Sequence, residues 1–214
     1  MSLPRGRHRF HGEIAGVGSS SGVRVVVGHW RESPLGTFAD VMLADVMLAE
    51  PDGTRLLLAP DEDVADFVST TYRFDRVEIG SVSVAIEEDP SGHPWWHVVA
   101  PGLDITLRVG RRPALGLLLR LVPSRLATAP WWARLTDPVA RVVLRGVRTR
   151  GTAGNERREY YGATDLHRIT DLAGSWQGDE LGGLAPVSPE PGFGFGSTPQ
   201  RPSVTSIVTT IDVG

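Results

Sequence analysis

Apolar and polar side chains alternate at a two-residue period through much of this chain, the period of a strand with one buried face. The clearest case is "LDITLRV", where Leu103, Ile105, Leu107 and Val109 face one way and Asp104, Thr106 and Arg108 the other. "RFHGEIAGVG" and "GVRVVVGHW" flank the turn-forming "GSSSG", which predicts a hairpin. "FADVMLADVMLAE" and "TRLLLAP" flank "PDG" and predict a second hairpin with Asp52 and Gly53 at its tip. "DRVEIGSVSVAIEE" alternates on both sides of Gly80, where the pattern predicts a bulge. "WWHVVA" reads as a strand, "RTRGTAGNERREYYG" as a hairpin around "GTAGN", and "SVTSIVTTIDV" as a closing strand rich in β-branched residues.

Two segments change period. In "APDEDVADFVSTTY", Val64, Phe67, Val68 and Thr71 share one helical face, Asp61 supplies an N-cap and acids fill the first turn, so a helix is predicted near 61–71. From Arg111 to Arg145 alternation disappears. Pro113 and "TDP" at 136–138 mark helix starts, which predicts two or three short helices. The pattern as a whole defines a mainly β (α+β) class: an antiparallel β-barrel-like single domain over 1–214, with a helix near 61–71 and a helical insertion near 111–145.

The pentapeptide ADVML occurs twice in succession, at 39–43 and 44–48. A helix would spread these apolar residues around its whole circumference, so the segment is read as strand. Five extra residues flip every side chain beyond them unless a bulge or loop absorbs the odd one. The expectation is a bulge or looped-out turn near Ala44–Asp45, with one copy in the ladder.

Composition removes whole classes of chemistry. The 214 residues contain no cysteine, and all 22 basic residues are arginine. Thiol nucleophiles, thiolate-ligated metals, Schiff-base lysines and the P-loop lysine are therefore absent. No apolar run approaches bilayer length and the Arg-rich start lacks a signal peptide's apolar core, so cytoplasmic residence and no transmembrane segment are expected. The net charge of −3 conceals an asymmetry, with acids concentrated in residues 40–89 and arginines in 105–170. Such runs are most often solvated faces, and otherwise form a surface for anions or lipid headgroups.

Candidate sites follow from the residues left. The doublets Trp95–Trp96 and Trp131–Trp132 are core material or the wall of a ligand cavity. His93 and His97 are four apart, but Pro94 lies between them and the glutamate of a zinc helix is missing; a third ligand from His29, Asp165 or His167 would be needed, and no metal site is assigned. Arg148, Arg150 and Arg158, with Tyr160 beside them, form a basic hairpin able to hold an anion bidentately. Glu156 and Glu159 offer those arginines a salt ladder across the same hairpin, which is the favoured arrangement. "RRPALGLLLRLVPSRLATAPWW" pairs arginines with leucines, as a core-facing cap or an interfacial helix would.

The whole chain resembles a group of bacterial β-rich proteins of unassigned activity that share, in this order, "SPLGTFADVM", "TRGTAGNERREYYGATDLH" and "FGFGSTPQRPS". That resemblance implies no catalytic residue. The strand order is also faintly similar to lipocalin-like and acetoacetate-decarboxylase-like barrels, which implies an enclosed small-molecule cavity. The decarboxylase reaction needs a lysine, and this chain has none.

The leading expectation is a protein that binds a small apolar or amphiphilic ligand in a β-barrel cavity, through Trp95, Trp96, His97, Trp131, Arg148, Arg150, Arg158, Tyr160 and His167. The alternatives are a cofactor-independent enzyme using His97 or His167 with a carboxylate, and an anion- or membrane-surface-binding protein using the Arg-rich half. No cofactor, metal or nucleic-acid partner is expected.

Overall fold

Strand β1 (Gly6–Ser19) and strand β2 (Arg24–Glu32) form the first hairpin, and β3 (Phe38–Asp45) and β4 (Thr54–Ala59) extend it. A computed structural model describes residues 4–45, 54–90, 92–123, 150–152, 158–193 and 198–213. Helix α1 (Glu62–Ser69) follows β4, with Asp61 capping Val64 N–H at 2.8 Å and Glu62 and Asp63 in its first turn. Then come β5 (Arg76–Ile79), β6 (Ser83–Glu88), β7 (Pro94–Ala100), β8 (Leu103–Val109) and helix α2 (Ala114–Leu121). Short β9 (Arg150–Thr152), long β10 (Arg158–Trp176), the two-residue strands β11 (Asp179–Glu180) and β12 (Leu184–Ala185), and β13 (Ser203–Val213) complete the described chain.

These strands form one sheet in the order β5-β4-β3-β2-β1-β13-β10-β8-β7-β6. The pairs along it are antiparallel except β4 with β5, which run parallel. Strand β10 bends the sheet. Its N-terminal half pairs with β13 and its C-terminal half with β8, and its register shifts between Ala163 and Asp165 and again between Ile169 and Asp171. Bulges of this kind bend a strand and sharpen its twist, so the β6–β8 end curls back over β1–β4.

The curl encloses one core. Val17, Val25, Val27, Leu43 and Leu58 from one arm meet Trp96, Val98, Ile105, Leu107, Leu172 and Trp176 from the other. A second core lies on the opposite face of β1–β4, where α1 sets Val64, Ala65 and Val68 against Phe10, Ile14, Val26, Met42 and Leu57. Strands β2 to β4 are therefore buried on both faces, which is why their sequences run nearly continuously apolar instead of alternating.

Three local expectations are revised. The 76–88 run is not one bulged strand: Gly80 ends β5, and β6 begins at Ser83 with β7 as its partner. Since β5 and β6 are the two ends of the hydrogen-bonded order, residues 80–82 join the edges of an open sheet by chain rather than by ladder bonds. Second, of the bulge or looped-out turn expected near Ala44–Asp45, the bulge is absent, since Ala44 pairs with both Arg24 and Arg55 and Asp45 with Thr54, and a looped-out turn beyond Asp45 falls outside the described residues. The first ADVML copy is in the ladder, and residues 46–53, which hold the rest of the second, lie outside the described residues. Third, α2 turns Gly116 toward β10, where an added Cβ would stand 2.2 Å from Leu166 O, while Leu117, Leu118 and Leu121 are exposed. Of the expected helical insertion, residues 124–149 also lie outside the described residues.

Candidate functional site beneath helix α1

The side chains that share a face with Met42 on β3 include one carboxylate, Asp40, because residues two apart on a strand point the same way. Asp40 is only 4% exposed. Across the ladder it opposes Gly28, which has no side chain to fill the space above the strand pair. Trp30 Nε1 donates to Asp40 Oδ1 at 3.0 Å and is its one hydrogen-bond donor among the described residues.

A second buried carboxylate comes from another strand on the same face of the sheet. Glu159, 2% exposed, opens β10 and stands opposite Ile211 of β13. Thr71, just beyond α1, donates its hydroxyl to Glu159 Oε1 at 2.6 Å, and Tyr161 donates its phenol to Oε2 at 2.6 Å. Tyr72 is hydrogen-bonded to Tyr161 in turn. The helix thus brings Thr71 and Tyr72 down onto a sheet face that carries both acids.

Between them is a cavity of ≈ 50 Å³, walled by Phe10, Ile14, Val26, Met42, Val68 and Ile211 and by the rings of Trp30, Phe67, Tyr72 and Tyr161. Phe10 stacks on Phe67 at 4.7 Å and meets Trp30 edge-on at 5.9 Å. Thr209, 4% exposed, also lines the cavity, and its hydroxyl oxygen has no hydrogen-bond partner among the described residues. The described lining carries two carboxylates and no cationic side chain.

Burial dominates the electrostatics. It pushes the Asp40 carboxyl up to about 7, against the opposing pull of the Trp30 hydrogen bond. Burial, followed by the charge of Glu159, holds the Tyr161 phenol well above its ordinary range, and burial likewise raises Tyr72. Both phenols therefore stay protonated as donors at neutral pH. Asp40, in contrast, exchanges a proton near neutrality, and the cavity presents acceptors that a ligand's donors would satisfy.

The residues singled out from sequence lie elsewhere. Period-two alternation splits the first tryptophan doublet: Trp96 enters the curl's core, while Trp95 lies on the outer face with Arg108 4.5 Å above its ring. His97, half exposed, is 2.8 Å from Asp104 Oδ1. Trp95 and His97 line an open groove of ≈ 370 Å³ with Glu87, Glu88, Asp89 and Thr106. His167 is on β10 beside Asp165, which Arg112 grips with a fork at 2.6 and 2.8 Å. His97 pairs with Thr106, whose partner on β10 is Ala173, so the two histidines do not converge. Tyr160 is buried and pairs with Thr210. Trp131 and Arg148 lie outside the described residues, as do the side chains of Arg150 and Arg158. Among the described residues no three His, Asp or Glu side chains converge as a metal site requires.

Glu159 directs its carboxylate inward to Thr71 and Tyr161, while the side chains of the arginines expected to pair with it across the hairpin lie outside the described residues. Asp40 opens an apolar run, and an acid sharing the face of Met42 and Ala44 is the sequence signal that marks it. The interior of the curl, where a barrel cavity was expected, is filled by Val27, Leu43, Trp96, Ile105 and Leu107.

Fold and site together define a β-rich, open, curled sheet with a small acidic and aromatic cavity beneath helix α1. No family model matches the chain, and no curated protein matches it significantly in sequence. One solved structure, a protein of Nitrosomonas europaea provisionally assigned as AttH, aligns with the whole chain at 10% identity and a TM-score of 0.35. The chain spans 56% of that protein's length. No helix among the described residues is long and apolar enough to cross a membrane.

Proposed function

We propose that this protein binds a small amphiphilic molecule in the cavity between α1 and the sheet. The observation that carries the reading is the pairing of an apolar, aromatic wall with a buried hydroxyl, Thr209 Oγ1, that has no hydrogen-bond partner among the described residues. A buried hydroxyl without a partner costs about 1–3 kcal/mol, and a ligand that satisfies it recovers that cost. Binding cavities are mostly apolar with a few placed polar groups, as this one is.

Native mass spectrometry of the purified full chain tests the reading, alongside thermal-shift measurements with short-chain alcohols and amines. Val68→Phe, which fills the cavity from α1, should abolish any retained mass or thermal shift while leaving the far-ultraviolet circular dichroism unchanged. A clean unliganded mass together with no response to either class of probe would sink it.

One observation favours a second reading, acid–base catalysis on the bound molecule. A carboxyl that titrates at about 7 is matched to proton transfer at neutral pH. Asp40, rather than His97 or His167, is then the acid–base group. Turnover of a bound substrate should vanish in Asp40→Asn while binding persists.

A further inference from the structure

We infer that the cavity beneath α1 selects a small organic cation, a protonated amine on a short apolar body, with the Asp40 carboxylate as its counter-charge. This rests on the reading of that cavity as a binding site. Three observations separate a cation from other amphiphiles.

The first is charge. Asp40 and Glu159 both face the space and no cationic side chain does among the described lining, so the lining disfavours an anion and favours a cation. The second is the wall. The rings of Phe10, Trp30, Phe67 and Tyr72 line the space, and aromatic rings attract ammonium groups. The third is acceptor supply. Trp30 uses one oxygen of Asp40, which leaves acceptor capacity on the carboxylate, and Thr209 Oγ1 adds another buried acceptor. An ammonium carries three donors and no acceptor, and so matches this inventory better than a hydroxyl. The absent side chain at Gly28 leaves the room in which Asp40 and Trp30 meet at the cavity wall. A volume of ≈ 50 Å³ admits roughly three to five waters' worth of atoms, which limits the ligand to a short branched alkylamine or the head of a longer one.

The test uses three probes of one shape, isobutylammonium, isobutanol and isobutyrate, titrated calorimetrically into the full chain at pH 8, where Asp40 is ionised. Isobutylammonium should bind at least about tenfold more tightly than isobutanol, a difference of ~1.4 kcal/mol, and isobutyrate should not bind. Asp40→Asn should erase the amine's advantage and keep the alcohol's affinity. If the alcohol or the carboxylate binds as tightly as the amine, the inference falls and the cavity remains a binding site. If no probe binds, both fall. An amine preference that survives in Asp40→Asn overturns the role given to Asp40.

Discussion

Gly28 and Asp40 oppose each other across β2 and β3, and a Cβ on Gly28 would stand 2.3 Å from Asp40 Oδ1 and 2.7 Å from Trp30 Nε1. The glycine is what allows a carboxylate and an indole to meet above the strand pair. Gly28→Ala should therefore force the Asp40–Trp30 hydrogen bond apart. Overpacking of this kind costs about 1–3 kcal/mol, read as a lower urea midpoint at unchanged m-value. The Trp30 indole N–H resonance should move in the same variant. A midpoint and a resonance both unaltered would mean that Asp40 has room to spare.

The raised pKa of Asp40 makes stability depend on pH in an unusual direction. The unfolded group titrates near 3.8 and the folded one at about 7. Between those values the native state binds more protons than the unfolded state, so stability is full below about 4 and declines as pH rises to about 7. The shift corresponds to a loss on the order of 4 kcal/mol. Asp40→Asn keeps an acceptor for Trp30 and removes the titration. It should lie within about 1 kcal/mol of the wild type at pH 4.5 and exceed it by several kcal/mol at pH 8, measured by urea unfolding at both. A wild-type profile flat across this window would show that Asp40 is better solvated than its burial implies.

Thr71 ties the end of α1 to the sheet through a carboxylate that is itself buried. Thr71→Val preserves shape and leaves Glu159 Oε1 without that 2.6 Å donor. Hydrogen bonds to charged groups contribute about 1.5–3 kcal/mol, and the loss should appear in the urea midpoint. Thr170→Val is the control: its hydroxyl makes only a 3.4 Å contact on an exposed part of β10. That variant should stay within about 0.5 kcal/mol of wild type. Equal effects from the two would remove Glu159 from the structural account of the cavity.

Much of the architecture was legible because it is local. Leu103, Ile105, Leu107 and Val109 alternate and form β8, and Asp61 caps α1 as its position before an apolar helical face requires. The strand break at Gly80 was not legible. Apolar residues recur at period two on both sides of it, and only the partners, β4 for one half and β7 for the other, separate them. The site was hidden for the same reason. Thr71 and Glu159 are 88 residues apart, and the Gly28–Asp40 pairing is a fact of register between strands. Histidines and tryptophans drew attention by residue type, yet the acids embedded in apolar runs were the ones that the fold buried.

The duplicated ADVML supplies the last prediction, and register decides it. In β3, Ala44 and Asp45 are the final paired residues, Asp45 opposing Thr54. Removing residues 44–48 moves Ala49 into the place of Ala44 and Glu50 into that of Asp45, so the ladder keeps an alanine followed by an acid. The connection to Thr54 shrinks from residues 46–53 to Pro51, Asp52 and Gly53, a three-residue loop ending in glycine, which hairpins accept. If the connection closes as a flexible chain, shortening it from eight residues to three recovers roughly 0.9 kcal/mol of closure entropy. The deletion should therefore fold with unchanged circular dichroism and a urea midpoint at or slightly above that of the wild type. A deletion variant that fails to fold, while a five-residue Gly/Ser replacement of 44–48 folds, would show that the length of the connection matters and the second copy's sequence does not. Failure of both would make the second copy part of the core.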